Sequence, residues 1–206
     1  DTPMDAFFYF WYGAACEREG QFDRAVRYFE KSIELEPENP EAYNYLAYMW
    51  AEKGLKLDQA LDYVRRALKI TPKSGAFIDT LGWIYYMQGR YDDALAEIKT
   101  ALELIPGDPT ISEHLGDVYF KLNQPEKAVE FWKNSFLMDP ENQKVAGKLE
   151  KQGLDIPALK KEAAALLQRQ KEEEAPETAL PQPVIEQLPP PLEVEEDSSD
   201  DIPTQP

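Results

Sequence analysis

One cysteine, Cys16, and one histidine, His114, are all the soft metal ligands of these types that the 206 residues contain. A lone thiol excludes an internal disulfide and any multi-cysteine zinc site. No Gly-rich phosphate loop, no Ser-His-Asp order and no HExxH occurs. No apolar run approaches the ~18 residues of a membrane helix. Positive charge is also scarce: 22 Lys and Arg stand against 39 Asp and Glu, a formal net charge of −17. A nucleic-acid binder needs a basic face to meet phosphates, and docking on anionic lipid needs the same, so both are disfavoured. The chain opens DTPMD, acidic and without the basic start of a secretory signal. Having no initial Met, it is expected to be a processed product or part of something longer.

The scarcities are uneven. Residues 175–206 hold eight acids, eight of the 17 prolines, no Lys or Arg and no aromatic residue; the last aromatic is Phe136. Such a segment has too little apolar surface to offset its ordering entropy, and the composition predicts a disordered tail. The folded part is expected over residues 6–174, with 1–5 ending a preceding segment.

What the chain does have is a repeat. Gly13, Gly20, Ala25, Phe29 and Pro37 recur with identical spacing as Gly82, Gly89, Ala94, Ile98 and Pro106. A third copy runs Gly116, Asn123, Ala128, Trp132, Pro140. Another, Ala47, Gly54, Ala60, Val64, Pro72, carries one extra residue after Gly54. Four units follow: 6–39, 40–74, 75–108 and 109–142. Each reads as two helices joined by a short turn such as GQFD or GRYD, the second helix ending before a proline. Small residues such as Gly82 and Ala94 let the paired helices approach, and Tyr85 and Ile98 fill the spaces between pairs.

This pattern resembles the tetratricopeptide repeat: Tyr9/Tyr12-Gly13, Tyr43/Leu46, Leu81-Gly82/Tyr85 and Leu115-Gly116/Tyr119 supply its first-helix signature, followed by A-x3-F and Pro. Ile78 and Ser112 depart from its large first position, and Cys16 replaces an aromatic. The resemblance implies an all-α fold, a right-handed α-solenoid of four helix pairs. Residues 143–174 are expected to cap it. Val145 and Leu149 give QKVAGKLEKQ one apolar side, Gly153 stops it, and Asp155 with Pro157 opens a last helix with a narrow stripe at Leu159, Ala163, Leu166 and Leu167. That helix lies along the solenoid or projects into solvent. The N-terminal end has no such cap. Phe7, Phe8, Phe10 and Trp11 stand almost bare, which predicts further repeats before residue 1, a covering partner, or self-association through this end.

For chemistry, the one cluster is Glu113-His114 with Asp117 and, a unit earlier, Asp79. One histidine without clustered thiols makes a poor metal site, and the plain reading is a hydrogen-bonded or exposed histidine. Cys16 reads as a small buried hydrophobe. An enzyme is disfavoured, and no cofactor is expected.

The resemblance implies a function in binding. The family's groove faces the second, fifth, sixth, ninth, twelfth and thirteenth positions of each first helix. The residues singled out there are Tyr48, Glu52, Asp79, Trp83, Tyr86, Glu113, Asp117 and Phe120. Aromatics are favoured interface anchors, and the acids favour a basic or neutral protein or peptide. The packing reading has the same rings buried against neighbouring helices. If the groove reading holds, truncating Trp83 and Tyr86 weakens binding without changing melting. The chaperone-binding subclass, which grips a carboxylate with lysines, is disfavoured, because the matching positions hold none. More narrowly, YLAYMWAEKGLKLDQAL, DTLGWIYYMQGRYDDAL and EHLGDVYFKLNQPEKA resemble the C-terminal repeats of bacterial envelope lipoproteins, some of them scaffolds for periplasmic proteases or secretion machinery. That resemblance implies a periplasmic, outer-membrane-associated place, a cytoplasmic one being the alternative; Cys16, inside a repeat, is no lipid anchor. The Pro-rich acidic tail is a competing candidate, as an extended ligand for a partner domain.

Overall fold

The structure is a computed structural model that describes residues 5–174. The expected disordered tail over 175–206, and residues 1–4, lie outside the described residues. Ten helices follow one another: α1 (Ala6–Arg18), α2 (Phe22–Leu35), α3 (Pro40–Glu52), α4 (Leu57–Ile70), α5 (Gly75–Met87), α6 (Tyr91–Leu104), α7 (Pro109–Lys121), α8 (Pro125–Met138), α9 (Gln143–Lys151) and α10 (Ile156–Glu174). No strand occurs among the described residues. No helix among them is long and apolar enough to cross a membrane.

The local chemistry alternates with the helices. First helices begin on a side-chain cap: Asp5, Asn39, Ser74 and Asp108 each accept a backbone N–H from the first turn. Second helices have no side-chain cap bond. They are entered instead through a tight turn built from the end of the first helix. Gly20, Gly89 and Asn123 take positive φ, and the next N–H reaches back to the carbonyl of Cys16, Tyr85 or Tyr119 at 2.8–2.9 Å. This is the Schellman arrangement, which satisfies carbonyls the helix leaves open. The extra residue of the second unit is absorbed here: Gly54 has φ +65 and Lys56 adds a second left-handed residue at φ +46 before α4.

Packing within pairs is tightest, α1 on α2 through α7 on α8, and each pair then stacks through its first helix on the preceding second helix. First helices also touch one another, α3 with α5 and α5 with α7, which lines one face of the solenoid. One contiguous core runs from Ala14 to Leu159. A Cβ on Gly82 would sit 2.5 Å from Ile98 Cγ1, one on Gly116 within 2.6 Å of Trp132 Nε1, and one on Gly13 only 3.1 Å from the Phe29 ring. Glycine is thus required in the third and fourth pairs because the helices approach too closely for a methyl.

The C-terminal helices extend the stack. α9 packs on α8 as a first helix would: Asn142 caps it, and its end repeats the same turn through Gly153. Asp155 caps α10, accepting the Ala158 N–H at 3.1 Å. α10 lies against α8 and α9 through Leu159 and Ala163, both buried, while Leu166 and Leu167 are exposed. Both expected courses therefore occur, docking at its start and exposure beyond it.

Gly82→Ala and Gly116→Ala are expected to destabilise the chain by about 1–3 kcal/mol in urea denaturation followed by helical circular dichroism. Ala94→Leu, at a fully buried small position, is expected to cost as much. Gly13→Ala should cost least, because its Cβ contact with the Phe29 ring, at 3.1 Å, needs a shift of only a few tenths of an ångström and alanine favours a helix by about 0.8–1 kcal/mol.

Candidate functional site

Three rings stack on the face lined by first helices. Trp83 of α5 lies between Tyr86, at a centroid distance of 4.5 Å and 7° from parallel, and His114 of α7, at 4.1 Å and 13°. Tyr48 of α3 stands 6.3 Å from His114. Tyr48 and Trp83 share the ninth position of their helices, and His114, at the sixth position of α7, meets Trp83 from the next unit. Beneath the stack His114 Nδ1 donates to both carboxylate oxygens of Asp79, at 2.9 and 3.1 Å. Asp79, Trp83 and His114 are all buried.

Burial pushes the imidazole pKa down, but the adjacent Asp79 carboxylate, reinforced by Glu52 and Asp117, outweighs it and holds His114 above its ordinary value. When protonated, the imidazole lies against the face of Trp83 in a favourable cation–π geometry. Burial first, and neighbouring carboxylates second, raise the phenols of Tyr48 and Tyr86. Both hydroxyls are therefore neutral donors at physiological pH.

The two remaining acids of the row are occupied from inside the chain. Lys148 of α9 donates to Glu113 and to Asp117, both at 2.7 Å. Asn142 Nδ2 adds a bond to Glu113 at 3.0 Å, and Trp132 Nε1 one to Asp117 at 2.9 Å. Burial alone would raise Glu113, yet the Lys148 ammonium holds it below the ordinary carboxylate range. Across the face, the exposed Lys144 reaches Glu52 at 3.7 Å. Between these groups lies a cleft of ≈ 450 Å³, lined by Tyr48, Glu52, Trp83, His114, Lys144 and Lys148 among others.

The eight residues singled out in the sequence thus divide. Tyr48 and Glu52 are half-buried and line the cleft, whereas Tyr86, half-buried, and Phe120, 46 % exposed, lie outside its lining. Trp83, 8 % exposed, forms its floor, and Asp79, 5 % exposed, supports that floor through His114. Glu113 and Asp117 tie α7 to α9. The expectation that truncating Trp83 leaves melting unchanged is corrected: its indole is held between two rings and over a buried ion pair. The histidine is hydrogen-bonded rather than exposed, and Cys16 is buried. Among the described residues no three His, Cys, Asp or Glu side chains gather in metal-binding geometry.

Lys144 and Lys148 were missed. A signal existed: running the repeat register one helix further places them at the second and sixth positions of α9, which face the groove. Two polar atoms nearby, Asn44 Oδ1 and Trp83 Nε1, are buried without a hydrogen-bond partner among the described residues. Such atoms are rare in folded proteins.

Comparison with known proteins accords with this geometry. Family models described as tetratricopeptide repeat and TPR repeat match residues 15–75 and 82–135, together more than half of the chain. The chain belongs to the tetratricopeptide repeat family. A TPR repeat-containing protein of Pseudomonas aeruginosa is 33 % identical over 73 residues, 35 % of this chain and 12 % of that protein. Photosystem I assembly protein Ycf3 of Prochlorococcus marinus is 28 % identical over 89 residues, 42 % of this chain and 51 % of the relative. The chain therefore spans about half of one curated relative and a small part of the other. Among solved structures, Pseudomonas aeruginosa pilF superposes with a TM-score of 0.60 at 22 % identity, over 82 % of this chain and 73 % of that one. That likeness is one of fold. Tetratricopeptide solenoids are protein-interaction folds, and the row of groove positions built here is where this one offers side chains from several units at once.

The ion pair gives a pH test with a fixed sign. The folded chain favours protonated His114, so it binds more protons than the unfolded chain between the ordinary imidazole value and the raised one. Stability is full below the ordinary value and falls as pH rises through the raised one. The urea midpoint is expected to drop between pH 6 and pH 9, and His114→Gln to flatten that drop; with one histidine in the chain, no other imidazole obscures it. Lys148→Met leaves two half-buried carboxylates short of a donor and is expected to cost about 1.5–3 kcal/mol, measured in the same way.

Proposed function

We propose that the chain is a non-catalytic scaffold whose concave face holds a segment of a partner protein. The observation that carries this reading is the convergence of side chains from α3, α5, α7 and α9 on one cleft. Tyr86 and Phe120 supply apolar anchoring area, Tyr48 a neutral hydroxyl donor, and Glu52 a carboxylate whose one salt bridge among the described residues is to the exposed Lys144 at 3.7 Å. A weak pair of this kind, screened by solvent, is readily exchanged for a partner's cation. The partner segment is therefore neutral or basic, with an aromatic or aliphatic anchor. Trp83, Asp79 and His114 keep the floor rigid so that the anchors are pre-organised.

The assembly served is a bacterial envelope complex, such as a protease or secretion machine. The quoted runs of the second to fourth units support this, as does a relative from Pseudomonas aeruginosa. The name of the Ycf3 relative supports a role in assembly more broadly.

A display library of random 12-residue peptides tests the groove. Selected peptides are expected to be rich in Lys or Arg with one large apolar residue. Tyr86→Ala with Phe120→Ala should weaken them at least tenfold, and Glu52→Gln should weaken the basic ones most while melting shifts little. Peptides that are acidic, or that bind the double variant as well as the native chain, would remove the groove from the function.

A further inference from the structure

Rings recur at two facing positions of the repeat. The fourth residue of the first helix and the seventh of the second are Tyr9 and Tyr28 in the first unit, and Tyr43 and Tyr63 in the second. Each pair is in contact, at centroid distances of 6.1 and 5.2 Å. In the second unit Trp50 also meets Tyr63, at 5.3 Å, so that ring is held from two sides. The third unit keeps a large residue, Ile78, at the fourth position, and it is buried. The fourth unit has Phe131 opposite Ser112. Phe131 keeps the neighbour equivalent to Trp50, which is Tyr119 at 5.4 Å, and lacks the one equivalent to Tyr43.

A hollow of ≈ 490 Å³ stands there, lined by Leu102, Ser112, Phe131, Met138 and Leu166 among others. Met138 and Leu166 are 56 % and 38 % exposed. The hollow shares no lining residue with the concave cleft. Atoms that face a gap of this kind lose the dispersion contacts that a filled position would supply.

The chain itself carries a segment matched to it. Beyond α10, which ends at Glu174, 32 residues follow. Their charge is not spread evenly: residues 178–192, TALPQPVIEQLPPPL, contain one charged residue, Glu186, and the other acids lie at Glu177 and from Glu193 onward. Leu166 lies eight residues before the end of α10, about 12 Å of helix, and extended chain covers about 3.3 Å per residue. The uncharged stretch therefore begins within reach of the hollow. Proline-rich segments lose little entropy on binding and fit grooves lined by aromatic rings.

We propose that residues 178–192 of the same chain occupy this hollow, with a proline or aliphatic side chain laid on Phe131 where the second unit has Tyr43. A short tether holds the stretch at an effective concentration on the order of millimolar, so a weak intrinsic affinity fills the hollow. The tail is then an internal ligand of the solenoid, and its acidic end, Glu193 to Asp201, is carried beside α8 and α10, away from the concave face.

The experiment uses the whole chain. Endoproteinase Glu-C cuts after Glu186, inside the stretch, and after Glu195, beyond it, so one digestion carries its own reference. Met138→Gln with Leu166→Gln removes apolar area at two exposed positions. Cutting after Glu186 is expected to be about tenfold or more faster in that variant than in the native chain, because protection follows the population of the docked form, with cutting after Glu195 unchanged. A second variant alters the tail alone, where it leaves the helices untouched. Val184→Asn with Ile185→Asn is expected to move the methyl NMR signal of Met138 and leave that of the buried Met49 in place. Equal cutting after Glu186 in the native chain and the first variant overturns the proposal. So does a Met138 signal that ignores the second variant, which would leave the hollow to a partner's side chain. Protection that disappears on dilution overturns it as well, by placing the stretch in the hollow of a second copy.

Discussion

The distance between the two helices of a pair is the constraint on which the rest depends. It is set where a small residue faces a large one: Gly13 against Phe29, Gly82 against Ile98, Gly116 against Trp132. Backbones that approach this closely bury the large side chain completely, or nearly so, as the exposures of 0 % for Phe29 and Ile98 and 3 % for Trp132 record. The pair then behaves as one slab with a fixed tilt, and identical slabs stack with identical offsets. Only because the offsets repeat do residues at one position number in successive first helices come into line. Tyr48 and Trp83, both ninth in their helices, come onto one face in this way, and His114, sixth in α7, meets Trp83 there.

That row has two layers with different work. Trp83, Asp79 and His114 form a desolvated layer in which a charged imidazole is kept by its carboxylate and by the aromatic face above it. Glu52, Tyr86 and Phe120 form a more accessible rim. Lys148 stitches the layer to α9 and neutralises two acids at once. The net acidity of the chain is therefore not the charge its groove presents: two of the carboxylates read as a lure for a basic partner are spent on holding the end of the solenoid.

Much of this architecture was legible in the residues. The spacing of Gly13, Ala25, Phe29 and Pro37, copied three more times, announces helix pairs because each residue type answers a local need: close approach, filling, termination. Even the extra residue after Gly54 marked the turn that absorbs it at Lys56. The candidate site was legible as a set of positions and illegible as a set of exposures. Trp83 and Tyr86 sit three residues apart on one helix and were read alike, yet one is floor and the other rim. His114 was recognised beside Glu113, Asp117 and Asp79, but nothing in the spacing said that Asp79, 35 residues away, is the one that holds it.

By itself, then, the sequence determined which segments are helices, where they turn, that they pair and stack, and which positions share a face, because caps, turns and helical spacing act over a few residues. Tertiary structure alone decided which of those shared positions are buried and which carboxylates are already paired. Burial and charge pairing depend on the curvature accumulated over several units, and no short run of residues encodes that.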